Sequence, residues 1–108
     1  MEQRKFRRFS DSSLVTFASE RLKGDGHLDN LSFGGAAIVS DAAISRGDYL
    51  ALTITLPAQA GTIEIELAPV RWVKKGSFGV EFIRIATESQ QRLHQYLHAL
   101  ESTSTDAA

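Results

Sequence analysis

Apolar and polar residues alternate most regularly between Leu50 and Leu67. Leu50, Leu52, Ile54 and Leu56 fall on one side, with Ala51, Thr53 and Thr55 between them. A period of two sends successive side chains to opposite faces of a strand, so this segment reads as a half-buried β-strand. Pro57 ends it, and the residues up to Gly61 form a loop. Alternation resumes with Ile63, Ile65 and Leu67 facing in and Glu64 and Glu66 facing out. Upstream, Leu14 to Ala18 is a β-rich run, residues 22–29 are a polar strand or turn region, and Ala36 to Val39 follows a double glycine. Ser45-Arg46-Gly47-Asp48 and Lys74-Lys75-Gly76-Ser77 are turns, the second leading into Phe78 to Phe82. Short strands at regular spacing predict a small antiparallel barrel or sandwich.

Two features of this pattern carry further expectations. Counting by twos beyond Leu67 puts Pro69, Arg71 and Val73 inside and Trp72 outside. A bulge near Pro69 would instead reset the register and make Val70 and Trp72 core. Near the end the period changes. Thr87-Glu88-Ser89-Gln90 fits a capping box, and Leu93, Tyr96, Leu97 and Leu100 then recur at helical spacing. A C-terminal helix closing one end of the barrel is predicted, followed by a frayed polar tail over 101–108. The expected organisation is one domain over 10–100, preceded by a short polar arm over 1–9.

Composition narrows the chemistry. The chain has 108 residues, a formal net charge of −1 and no cysteine, which excludes disulfides, thiolate metal sites and cysteine nucleophiles. The charge is unevenly spread: Arg4, Lys5, Arg7 and Arg8 crowd the first eight residues, and the remainder is net acidic. Positive charge on one short arm suits a compact anion better than a long polyanion, whose binders carry basic residues over a whole face. No nucleic-acid polymer is expected as partner. No apolar run reaches the roughly 18 residues of a membrane span, and the basic start has no apolar stretch behind it. Membrane insertion and secretion are therefore not expected, and the expected compartment is the cytoplasm. No nucleophile elbow, Walker loop or dinucleotide fingerprint occurs. His94 and His98 lie four apart without a third ligand, so neither an enzyme nor a metal site nor a resident cofactor is predicted.

Two local patterns remain. Arg4-Lys5-Phe6-Arg7-Arg8 contains an Arg-x-x-x-Arg spacing before the first strand. Asn30-Leu31-Ser32-Phe33-Gly34-Gly35 is an [Asp/Asn]-x-Ser-x-x-Gly pattern leading into the strand from Ala36. Alone, the first is usually a solvated tail and the second a turn. In this order on an all-β pattern, they resemble the two signatures of the PilZ domain. Val70-Arg71-Trp72, Gly79-Val80-Glu81-Phe82 and the helix over 87–100 resemble the family's later segments, so the resemblance covers nearly the whole chain.

The resemblance implies a six-stranded antiparallel split barrel with a C-terminal helix and a flexible N-terminal arm. It also implies binding of cyclic diguanylate (cyclic di-GMP) on the barrel's outer surface. An arginine fork fits phosphate oxygens or the O6/N7 edge of guanine and can stack on a base. Arg4 and Arg8 are the expected pair, with Lys5 and Arg7 adding positive potential; the family often has proline where Arg7 stands. Asn30 presents an amide to a guanine edge, a position where family members often carry aspartate. Asp29 would compensate for the charge that asparagine lacks, although in a regular strand its side chain points the other way. Ser32 donates to a phosphate or orients a neighbour, and Gly34 and Gly35 allow close approach and positive φ. Trp72, if outside, has a purine or an arginine to stack on. The implied device is a receptor whose arm orders over the ligand and signals to an unidentified downstream protein in motility, biofilm or exopolysaccharide control. The alternative is a PilZ-fold protein–protein interaction module without nucleotide binding.

Overall fold

In the barrel, alternation along the chain becomes alternation of faces. In the strand Tyr49–Thr55, Leu50, Leu52 and Ile54 are buried while Ala51 and Thr55 face solvent. The computed structural model describes the backbone of residues 9–10 and 12–106 and the side chains of residues 12–100. Its strands are β1 (Phe9–Ser10), β2 (Leu14–Ala18), β3 (Lys23–Leu31), β4 (Gly35–Val39), β5 (Tyr49–Thr55), β6 (Thr62–Lys74), β7 (Ser77–Glu81) and β8 (Arg84–Ile85), followed by helix α1 (Thr87–Asp106).

Six strands of five or more residues form a ring. Antiparallel pairing runs β3-β2-β5-β6-β7-β4, and β4 returns to β3. The sheet is therefore a six-stranded antiparallel barrel rather than an open sandwich, and closure leaves no long free edge. The two-residue strands β1 and β8 add to β3 and β6 outside the ring. Turn chemistry agrees with the sequence: Gly47, Gly61 and Gly76 sit at φ +92, +105 and +80, where a residue with a Cβ is strained. A 3-10 turn over Pro57–Gln59 fills the loop after β5. The core is continuous, with Phe17 and Phe78 packed edge to face at 5.3 Å from opposite sides.

Strand β6 departs from simple counting, and it does so twice. Leu52 pairs with Ile65 but Leu50 with Ala68, so three steps on β6 match two on β5. That bulge leaves Leu67 half-buried and turns Ala68 and Val70 into the core. A second irregularity lies opposite β7, where Val70 pairs with Val80 but Trp72 with Gly79. Arg71 and Trp72 then both fall on the outer side. The inward position expected for Arg71 is corrected accordingly: its guanidinium is exposed and gives two 2.7 Å contacts to Glu81 Oε1. Val73 lies opposite Phe78 and is 43% exposed, and Pro69 is buried.

Helix α1 docks on β6 and inserts Leu93 and Leu97 into the core. Its start differs from the capping box read in the sequence. The Gln90 N–H bonds to the Ala86 carbonyl at 2.8 Å, so Ala86, not Thr87, is the cap residue. Ser89 is buried and its Oγ accepts the Glu64 N–H of β6 at 2.8 Å, while Arg92 donates to the Thr62 carbonyl at 2.6 Å. Docking on β6, rather than a local box, sets this terminus. The other end also differs: the helix continues through Asp106 instead of giving way to a tail at 101. No glycine or proline follows Gly79 to stop it.

Candidate functional site

The Asn30–Gly35 motif forms the connection from β3 to β4. The Ser32 N–H bonds to the Gly35 carbonyl at 2.9 Å, its hydroxyl donates to the same oxygen at 3.3 Å, and its Oγ accepts the Gly34 N–H at 3.2 Å. Ser32 is buried by this arrangement. Of the two roles read for it, orienting a neighbour is the one these bonds perform. Gly34 ties the turn to the end of β7 by accepting the Phe82 N–H at 2.9 Å. Neither Gly34 nor Gly35 has a positive φ. Gly35 is instead required by close approach, because a Cβ there would collide with the Val80 carbonyl oxygen. Phe33, between Ser32 and Gly34, faces the helix and stacks obliquely on His94 with ring centroids 4.6 Å apart. The motif is thus held from both β7 and α1.

From this turn a row of residues crosses the outer wall. Asn30 pairs with Ala37, Ala37 with Gly79, and Gly79 with Trp72. Their inward neighbours Leu31, Ile38, Phe78 and Val80 are core, which places the row on the opposite face, where Ala37 and Gly79 are nevertheless buried and Asn30 and Trp72 half-buried. Three interstrand steps at about 4.8 Å separate Asn30 from Trp72, so roughly 14 Å of wall lies between an amide and an indole. The floor has almost no side-chain bulk. The Trp72 indole lies against Gly79, where a Cβ would overlap the ring. Lys74, two residues on, holds its Nζ 5.3 Å from the ring centroid, a cation–π distance. Trp72 is thus an outer-face residue, half-buried because Gly79 provides its seat. The core alternative is corrected; Val70 takes that place.

Strand β3 contains a bulge beside the motif. Leu28 pairs with Ile38 and Asn30 with Ala37, so Asp29 and Asn30 together face one residue of β4. Leu28 and Leu31 are buried while Asp29 is exposed and Asn30 half-buried, an in–out–out–in order. Asp29 therefore lies on the same face as Asn30, contrary to the regular-strand expectation. Arg71, joined to Glu81, flanks this face on the Gly35 side, since Glu81 pairs with Gly35.

The structure brings Asn30, Ser32, Gly34, Gly35 and Trp72 to one wall of the barrel. Arg4, Lys5, Arg7 and Arg8 lie outside the described residues. What the structure does describe is the attachment of that segment: Phe9 pairs with Leu31 and Ser10 with Asn30. The boundary drawn at residue 9 thus falls inside a strand. Sequence reasoning missed Lys74 and the seat at Gly79; Lys74 was accessible by counting two from Trp72, whereas the seat depends on strand pairing. A hollow of about 610 Å³ lies apart from this wall, over β2, β3, β5 and β6, where Lys23 is outnumbered by Asp25, Glu64 and Glu66. An excess of carboxylates there disfavours an anionic ligand. Among the described residues no group of three or more metal-ligating side chains occurs, and no helix is long and apolar enough to cross a membrane.

Comparison with known proteins agrees with this architecture. Curated protein sequences contain no match. Among solved structures, the Bacillus subtilis inhibitor of motility (MotI/DgrA) is 27% identical with a TM-score of 0.74, over 95% of this chain and 53% of that one. YcgR from Escherichia coli, solved in complex with c-di-GMP, is 14% identical with a TM-score of 0.81, over 98% of this chain and 49% of that one. The PilZ domain of YcgR with c-di-GMP is 16% identical with a TM-score of 0.68, over 98% and 97% of the two chains. The chain spans about half the length of the first two. PilZ domains are non-catalytic receptors. The PilZ domain model itself matches residues 2–99, and with barrel, helix and motif turn all in place the chain belongs to the PilZ domain family.

Proposed function

We propose that this domain is a receptor for cyclic diguanylate, bound on the outer wall from Asn30 to Trp72 and covered by the arginine-bearing segment over 1–8. The observation that carries the reading is the row Asn30–Ala37–Gly79–Trp72, which sets a base-reading amide and a stacking indole on one shallow wall. Arg4 and Arg8 supply guanidinium forks for phosphate or a guanine edge, and Lys5 and Arg7 add positive potential. Ser32, Gly34 and Gly35 shape the turn that presents Asn30. Pairing of Phe9 with Leu31 attaches the basic segment next to the motif, which supports its closing over a ligand there. Complexes of YcgR with c-di-GMP on the same fold support the choice of ligand.

Binding leaves the ligand chemically unchanged and orders the basic segment. The partly neutralised surface that results is one a downstream protein distinguishes. The receptor acts in the cytoplasm, where nucleotide messengers are made, and the controlled process is motility, biofilm formation or exopolysaccharide production. A charge-assisted hydrogen bond contributes about 1.5–3 kcal/mol, so Arg8→Ala weakens binding by roughly ten- to a hundredfold. Arg8→Lys also loses affinity because a point charge cannot form the fork. Calorimetric titration of the wild type and both variants tests this. Equal affinities remove the arm from the site, and no binding by the wild type leaves an interaction module as the better reading.

A further inference from the structure

The bulge in β3 puts a carboxylate where the motif alone offers only an amide. Asn30 has one acceptor oxygen and an NH2 donor, whereas the Watson–Crick edge of guanine presents two adjacent donors, N1–H and N2–H. One amide oxygen satisfies one of them. A carboxylate has two acceptor oxygens in a plane and takes both donors in parallel, with charge assistance. Asp29 is exposed, shares the outer face with Asn30, and among the described residues has no hydrogen bond or ion pair occupying its oxygens.

We infer that Asp29, turned outward beside Asn30 by the bulge, is a specificity residue that accepts the N1–H and N2–H donors of a guanine base. The inference rests on the cyclic diguanylate reading and adds to it which residue distinguishes guanine from a purine lacking the 2-amino group. A carboxylate near a doubly anionic ligand also carries a repulsive cost. At an exposed position water screens that cost over distance, and the base edges of the ligand project away from its phosphates. The direct hydrogen bonds outweigh it. An unbulged β3 would send Asp29 and Asn30 to opposite faces.

The test compares Asp29→Asn with wild type against two ligands, cyclic diguanylate and its hypoxanthine counterpart, which lacks both 2-amino groups. The variant is exposed and nearly isosteric, and its melting temperature checks the fold. Wild type is expected to prefer the guanine ligand by roughly tenfold or more, the worth of a hydrogen bond to a charged acceptor. In Asp29→Asn the guanine ligand weakens by a similar factor and the hypoxanthine ligand by less, so the preference shrinks. Equal weakening of both ligands, unchanged affinities, or tighter binding of both overturns the role of Asp29 while leaving the receptor reading intact. Failure of the wild type to bind either ligand removes both together.

Discussion

Trp72 holds its place because two neighbours make room for it. Gly79 lacks the Cβ that would displace the indole, and Lys74 covers the exposed ring at cation–π distance. Gly79→Val is therefore expected to lift the ring, destabilise the barrel by about 1–3 kcal/mol through overpacking, and shift tryptophan emission to the red. Urea denaturation and a fluorescence spectrum measure both. Trp72→Ala should leave the core packed, because Val70 and not Trp72 fills it. Its cost falls on the ligand: base–aromatic stacking contributes about 1–3 kcal/mol, so calorimetry should show binding roughly five- to a hundredfold weaker. Ser32 behaves differently. Its hydroxyl is consumed within the turn, so its contribution to binding passes through the position of Asn30.

At the level of elements, α1 and the bulged strands explain where local reading succeeded. Helical spacing identified Leu93 and Leu97, and both are core. The spacing of Thr87 and Gln90 suggested a capping box, yet Ser89 bonds across to β6 and the helix starts on Ala86. A box is a local preference of about 1 kcal/mol, small enough for tertiary docking to override. Ser89→Ala deprives the Glu64 N–H of its acceptor, and losing this partly buried hydrogen bond costs about 1 kcal/mol. Chemical denaturation should show that loss, and Leu97→Ala should lose about 2–5 kcal/mol by opening a cavity. A stability change below 0.5 kcal/mol in Leu97→Ala would mean that the helix is not part of the core. The bulges were legible only as a possibility, because an extra residue in a strand has meaning only against its partner strand.

Across the whole molecule, ring closure by β3–β4 pairing makes the motif turn a structural junction, in addition to the binding role proposed for it. A ligand that binds the folded state alone stabilises it by mass action, about 2.7 kcal/mol at a hundredfold excess over Kd. For a domain of this size that corresponds to a rise in melting temperature of roughly 10 °C or more, measurable by calorimetry. The charge distribution sets a second expectation. On the proposed reading only a few cations face a small dianionic ligand, so the salt dependence of binding should be shallow. A steep fall in affinity with salt, with tight binding of long oligonucleotides, would indicate a polymer-binding surface instead.

The amino-acid pattern by itself determined the strand segments, the helix, the glycine turns and the identity of the motif residues. Each depends on neighbours within a few positions: a period of two, a period near 3.6, or a backbone angle that only glycine adopts without strain. Tertiary structure alone decided which outer residues share a wall. Asp29 joined Asn30, Arg71 left the core side, and Trp72 settled on Gly79 because bulges are defined by pairing between distant strands. A one-residue slip in register exchanges the faces of everything beyond it, and the partner strand that sets the register lies elsewhere in the chain.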